Sequence, residues 1–214
     1  MDKTNNTKQR IIIVEDSLIH SEWIKAELLD NDYDVLGVYQ FGKHALLSIK
    51  SQNPSLVVLD FQLKDVTGLE VAKKIKLFDD SIKIFMLTAH TEISIVNRLV
   101  NDKNVDAIGI KSSPYFEQNF VTAISYVLNG GTYLDPTLLG KLRETNSDES
   151  LTSLTQREFE IFIQLNIGKN ENKIANDLNI ELATVRNLKS KITKKINRNN
   201  ITSLVSKLVE NAEA

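Results

Sequence analysis

The 214-residue sequence contains no cysteine, which excludes disulfides, thiolate zinc sites and thiol nucleophiles and fits a reducing compartment. It has only three prolines and eight glycines, too few for collagen-like or low-complexity structure. No apolar run approaches the roughly 18 residues that would span a bilayer, and the opening from Met1 to Arg10 lacks the apolar stretch of a secretory leader. Both features point to a cytoplasmic chain with no membrane partner. What is present is ordinary for a globular protein: 42% apolar and 25% charged residues, in a length that suits one large or two modest domains.

The net charge of −2 is unevenly divided: residues 1–130 carry −3, residues 131–150 carry −2 and residues 151–214 carry +3. Leu182 to Asn200 holds Arg186, Lys189, Lys191, Lys194, Lys195 and Arg198 without an acid. Such a run is usually a solvated helix face, and it is also what a surface facing phosphate backbones requires. Charge alone favours the solvated face.

Short apolar runs rich in branched residues recur at Ile11–Val14, Val35–Val38, Leu56–Leu59, Ile84–Leu87 and Val105–Ile110. Between them lie stretches with helical spacing, such as Leu18, Trp23, Ile24 and Leu28, or Leu69, Val71, Ala72 and Ile75. Runs that are apolar throughout belong to strands covered on both faces, so the pattern predicts a five-stranded, doubly wound parallel sheet, an α/β domain over residues 1–130. Its fifth helix, Pro114 to Leu128, stops at Gly130 and Gly131. Residues 131–150 read as a linker with room for one short helix after Pro136, ending in the polar tract Glu144–Ser150. From residue 151 to residue 214 strand signals vanish. Four helical segments follow, near Thr155–Ile167, Asn170–Leu178, Leu182–Ile196 and Ile201–Asn211, an all-α domain.

In an open α/β sheet, ligands bind outside the carboxyl ends of the strands. There the first strand runs into Glu15 and Asp16, the third into Asp60, the fourth into Thr88 and the fifth into Lys111. Two carboxylates about 4 Å apart repel by about 4 kcal/mol at an effective dielectric of about 20, so three converging acids imply a cation. An all-oxygen set without Cys or His suits a hard ion that keeps waters and accepts phosphate oxygens, namely Mg²⁺. Asp60 could then attack a phosphoryl group to give an acyl phosphate, with Lys111 as the opposing cation and the Thr88 hydroxyl on a second phosphoryl oxygen. A single acid after a strand is most often a loop residue or a helix cap; polar groups of these kinds at four strand ends are harder to dismiss.

The order acid pair, Asp, Thr, Lys resembles the receiver domain of bacterial two-component response regulators, with a flavodoxin-like fold, over about residues 9–130. Asp60 follows Asp16 by 44 residues, Thr88 and Lys111 follow Asp60 by 28 and 51, and Gly68 stands eight after Asp60. The resemblance implies that Asp60 accepts phosphate from a sensor histidine kinase. It also implies that Glu15, Asp16, Asp60 and the backbone carbonyl of Gln62 hold Mg²⁺, and that Thr88 and Lys111 hold the phosphoryl oxygens. Lys64 stands where the family usually has proline, and Ile108 where it usually has an aromatic residue that turns inward on activation. The histidines His20, His44 and His90 suggest no ligand set; His90, two after Thr88, reads as a modulator of access or dephosphorylation.

In the C-terminal part, Thr155 caps a helix with acids in its first turn, Gly168 ends it, and Asn170 caps the next. Asn179-Ile180 turns into a last helix whose buried stripe is Leu182, Val185, Leu188, Ile192 and Ile196. Two helices joined by a tight turn make a helix-turn-helix. Its outer face presents Thr184, Arg186, Asn187, Ser190, Lys191 and Lys194, mixing base-reading with phosphate-contacting types as a major-groove helix does. Leu154-Thr155, Arg157-Glu158, Glu160, Gly168, Ile174-Ala175, Ile180 and Thr184-Val185-Arg186-Asn187 resemble the LuxR-type DNA-binding domain, and Gly131 to Pro136 is similar to the joining segment of the NarL/FixJ subfamily. Glu181, Leu188 and Lys189 depart from that pattern.

Together these resemblances imply a transcriptional regulator, not a turnover enzyme, that binds double-stranded DNA as a homodimer when Asp60 is phosphorylated. The receiver would catalyse only its own phosphorylation and dephosphorylation. Two rivals are a regulator whose receiver answers a ligand or protein partner instead of phosphate, and a Mg²⁺-dependent phosphohydrolase. Hydrolases of the haloacid dehalogenase kind carry a second Asp two residues after the nucleophile, where Gln62 stands here.

Overall fold

The computed structural model describes residues 8–145 and 149–196; the expected helix Ile201–Asn211 and Arg198 lie outside them. Contacts divide the chain into two compact units, residues 1–86 and 87–214.

The first unit holds β1 (Arg10–Val14), α1 (Leu18–Asp30), β2 (Asp34–Tyr39), α2 (Gly42–Gln52), β3 (Leu56–Asp60), α3 (Gly68–Phe78) and most of β4 (Lys83–Thr88). β1 pairs in parallel with β2 on one side and β3 on the other, with Ile12 opposite Val57 and Ile13 opposite Val58. Ile11 to Val14 and Leu56 to Leu59 are buried at 0–1% exposure, as unbroken apolar runs require when both faces are covered. β2, a sheet edge, is only partly buried. Thr67 and Glu70 close a reciprocal capping box on α3. α2 begins without a cap of its own, and Asp65 fills that role from 23 residues away by accepting the Gly42 and Lys43 amides at 2.9 and 3.0 Å. Burial is the largest single effect on the Asp65 carboxyl and raises it, but the bonds from Lys43 and Gly42, with the Lys43 charge, outweigh it and hold the carboxyl below its ordinary value.

The second unit continues with α4 (Ile93–Val100), β5 (Ala107–Ile110), α5 (Pro114–Leu128), β6 (Tyr133–Leu134), α6 (Pro136–Glu144), α7 (Glu149–Thr152), α8 (Gln156–Asn166), α9 (Glu171–Asp177) and α10 (Leu182–Ile196). The fold is α/β with a parallel sheet followed by helices, as expected, but the sheet has six strands, β2-β1-β3-β4-β5-β6, rather than five. The sixth lies in the expected linker. Two residues are too few to show periodicity, yet Tyr133 and Leu134 pair in parallel with Ala107 and Ile108. α7 likewise starts inside the tract read as polar linker.

Candidate functional site

The sheet order places β1 and β3 side by side at the point where the chain's winding reverses, the crevice where open α/β sheets bind ligands. There β3 ends on Asp60 and β1 runs directly into Glu15 and Asp16. One carboxylate oxygen from each of Glu15, Asp16 and Asp60 lies within 4.8 Å of the others. Glu15 and Asp60 are buried and Asp16 is half-buried. The Glu15 amide donates to the Tyr39 carbonyl at 2.9 Å, fixing the end of β1 against β2. The Glu15 carboxylate accepts the Ser17 amide, and Asp60 Oδ1 accepts the Gln62 amide at 3.3 Å.

Gly68 makes the loop after Asp60 close. Its amide donates to the Phe61 carbonyl at 2.7 Å, and a Cβ there would stand 2.3 Å from the Asp60 carbonyl oxygen and 2.9 Å from Met86 Sδ. Any other residue would push the loop off β3. Such a glycine is legible in sequence only by its spacing.

Fully ionised carboxylates at this separation repel by roughly 3–4 kcal/mol per pair at an effective dielectric of about 20. The donor set is all oxygen, which fits a hard divalent cation and not a thiolate- or imidazole-seeking one. Two nitrogen-bearing side chains stand at the rim: Lys64 Nζ is 4.0 Å from Asp16 Oδ2, and His20 Nδ1 is 3.9 Å from Glu15 Oε1. His20 was not singled out in the sequence reading; its signal is only that it lies five residues after Glu15, in the first turn of α1.

In the second unit, Thr88 ends β4 at 1% exposure, its hydroxyl accepting the His90 amide at 2.9 Å. The Lys111 amide donates to the Thr88 carbonyl, also at 2.9 Å. Two residues on, buried Ser113 caps α5 and donates its hydroxyl to Asp135 Oδ1 at 2.9 Å. Asp135 is fully buried and caps α6 through the Thr137 amide. Burial pushes its carboxyl above the ordinary 3.8, against the bonds from Thr137 and Ser113. The Lys111 loop is thereby joined to α6 by a buried polar relay that the sequence reading missed, since Asp135-Pro136 reads as an ordinary helix start. Ile108, at the expected aromatic position, is fully buried. On the adjacent strand, Tyr133 is buried as well, and burial first, then the Asp135 charge, raises its hydroxyl pKa well above the usual value.

α8 meets this region through Asn166. Its carboxamide accepts the Leu134 amide at 3.0 Å and donates to the Leu134 carbonyl, so one side chain serves as a strand partner for β6. Nearby, Arg143 of α6 lies over the Phe159 ring at 4.4 Å and donates to the Leu154 carbonyl.

Asn179, with φ of +49°, turns α9 into α10. On α10, Val185, Ile192 and Ile196 are buried while Leu182 and Leu188 are half-buried. Thr184, Arg186, Asn187, Ser190, Lys191 and Lys194 are all exposed on one helix. The basic run divides by role. Lys195 turns inward to Glu158 Oε2 at 2.6 Å and the Ser153 carbonyl at 3.1 Å. Glu171, at the start of α9, accepts Arg186 Nε at 2.9 Å and Lys189 Nζ at 3.2 Å. The half-buried Lys189, a departure in the sequence, thus has a carboxylate partner.

Residues 11–113 match the response regulator receiver domain, and residues 152–208 match the luxR family of bacterial regulatory proteins. The chain is 31% identical over 183 residues to the transcriptional regulatory protein DesR of Bacillus subtilis, covering 85% of this chain and 86% of DesR. It is 24% identical to the transcriptional regulatory protein DegU of Brevibacillus brevis, over 98% and 97% of the two chains. Among solved structures, RcsB in a complex of two dimers bound to two parallel DNAs superposes with a TM-score of 0.60 at 18% identity, covering 94% of this chain and 98% of RcsB.

Proposed function

Because the chain belongs to the LuxR/NarL-type two-component response regulators, a receiver domain joined to a LuxR-type DNA-binding domain, we propose that reversible phosphorylation of Asp60 governs how α10 engages double-stranded DNA. The observation that carries the proposal is the gathering of Glu15, Asp16 and Asp60 within 4.8 Å at the sheet's switch point. In this reading Glu15, Asp16, Asp60 and the Gln62 carbonyl hold Mg²⁺, which when bound offsets the charge that collects on the transferring phosphoryl group.

An Asp60 carboxylate oxygen forms the new bond to phosphorus as the donor's N–P bond breaks, a sensor histidine kinase being the donor. Thr88 donates its hydroxyl to one phosphoryl oxygen and Lys111 its ammonium to another. The receiver acts on its own phosphoryl group and turns over no separate substrate. The reading places the protein in the cytoplasm; among the described residues no helix is long and apolar enough to cross a membrane. It divides the chain into a receiver (1–130), a joining segment (131–150) and a DNA-binding domain (151–214).

On DNA, Arg186, Asn187 and Ser190 are placed to read base edges, while Thr184, Lys191 and Lys194 meet phosphates. One helix-turn-helix module buries only about 600–1,000 Å², so a homodimer on paired half-sites is expected, in line with the dimers in the RcsB complex. Incubation with Mg²⁺ and acetyl phosphate followed by intact mass measurement tests the reading. One phosphoryl group should be gained by the natural chain and none by Asp60→Asn. No gain in either would favour a receiver switched by a ligand or protein partner, the reading to which Lys64 beside Asp16 lends weight.

A further inference from the structure

We infer that Glu171 is a selectivity residue of the DNA-binding unit: it grips Arg186 by Nε, leaves the outer edge of the guanidinium to a base, and withholds Lys189 from phosphate. The inference rests on the DNA-binding reading and deepens it. Arg186 and Lys189 are three residues apart, neighbours on one helix face, and the two oxygens of Glu171 divide between them at 2.9 and 3.2 Å. The Arg186 side chain is 64% exposed. An arginine that exposed would otherwise sweep many rotamers, and ordering it on DNA would cost affinity each time.

Geometry decides what the contact leaves available. A guanidinium has five N–H donors in a planar fork. With Nε committed to Glu171, the four N–H groups on Nη1 and Nη2 remain, and these form the edge that can grip guanine O6 and N7 together. A carboxylate behind the arginine also opposes its drift to a phosphate, because it offsets one of the two positive charges gathered there. Lys189, with its side chain 27% exposed, is held by the same carboxylate. Glu171 therefore lowers sequence-independent attraction and raises discrimination. The hydrogen bond from Arg186, then that from Lys189, holds its carboxyl below the ordinary range, so it stays ionised at neutral pH.

The competing role is a surface staple between α9 and α10, and exposed ion pairs contribute little to stability. Apolar burial by Ile174, Ala175, Val185 and Ile192 already joins those helices. A staple would show in melting temperature and leave base preference untouched.

The test selects from a pool of random-sequence duplexes with the full-length protein, then measures affinity for the selected duplex, its single-base variants and unselected duplex. Glu171→Gln should bind unselected duplex about threefold more tightly. It should lose about tenfold in discrimination at the base pair that Arg186→Ala also relaxes, with an unchanged melting temperature. In the Arg186→Ala background, Glu171→Gln should cause no further loss of discrimination. Glu171→Asp, too short to reach both cations, gives the same readout if Glu171→Gln fails to fold. Natural discrimination retained by the Glu171 variants overturns the inference alone; a natural chain that binds no duplex overturns the DNA-binding reading and the inference with it.

Discussion

The acidic rim of the first unit and the basic helix of the second handle charge in opposite ways. At the rim, three carboxylates of one sign are drawn within 4.8 Å, with a lysine and a histidine standing about 4 Å off two of them. On α10, three of the cations, Arg186, Lys189 and Lys195, are bonded to Glu171 and Glu158. Like charges packed together favour a ligand of opposite sign and select it sharply. Cations that already have a carboxylate partner are drawn less strongly to phosphate, which suits a surface that must slide over many phosphates and stop at few sites.

The largest effect expected at the rim is from Asp60→Asn. Removing one of three like charges should weaken Mg²⁺ binding at least tenfold and abolish phosphoryl incorporation, read by Trp23 fluorescence on titration and by intact mass. A variant that still binds the metal as tightly would break the contrast, because the rim's charge would then not be what selects the ion.

On the helical side, Lys195→Ala should destabilise the fold by about 1.5–3 kcal/mol, the scale of a charged hydrogen bond, since Glu158 would remain buried without its cation. The two buried caps sharpen this through pH. Burial opposes ionisation of Glu158, but the bond from Lys195, followed by that to Thr155, outweighs it and lowers its pKa. Its stabilisation is present above the unfolded value and is lost as pH falls through the folded one. Asp135 is shifted upward by burial, so its contribution is greatest below 3.8 and is lost as pH rises through its folded value. Melting curves across the acid range should therefore show Glu158→Gln converging with the natural chain as pH falls. Asp135→Asn should converge with it, or overtake it, as pH rises.

Smaller effects should follow from charges at the margins. Lys64→Ala should tighten Mg²⁺ binding about threefold, the scale of an exposed ion pair, by removing the ammonium 4.0 Å from Asp16. Lys194→Ala should weaken binding to all duplexes alike and make its salt dependence shallower by about one ion, while Arg186→Ala should relax base preference.

Where the polypeptide pattern is local, the sequence was a good guide. Ile11–Val14 and Leu56–Leu59 read as buried strands because unbroken apolar runs have few other uses. Thr155 and Asn170 read as caps because their side chains act three residues ahead. The acids after β1 and β3 could be assembled because the sheet's winding rule brings those ends together. What escaped were bonds between residues with no shared periodicity. β6 is two residues long and leans on Asn166, 32 residues away; Ser113 meets Asp135 across 22 residues; Glu171 meets Arg186 across 15. Polar side chains can hydrogen-bond in many directions, so their partners are decided by tertiary placement and leave no repeat to read.

In the proposed function, esterifying a rim carboxylate changes what a distant helix does. The most direct measurement is the affinity of the full-length chain and of Asp60→Asn for the selected duplex in Mg²⁺, with and without acetyl phosphate. Binding should tighten with the donor for the natural chain and stay unchanged for Asp60→Asn. An affinity that stays constant while intact mass shows the phosphoryl group in place, or one that rises equally in both proteins, would contradict it.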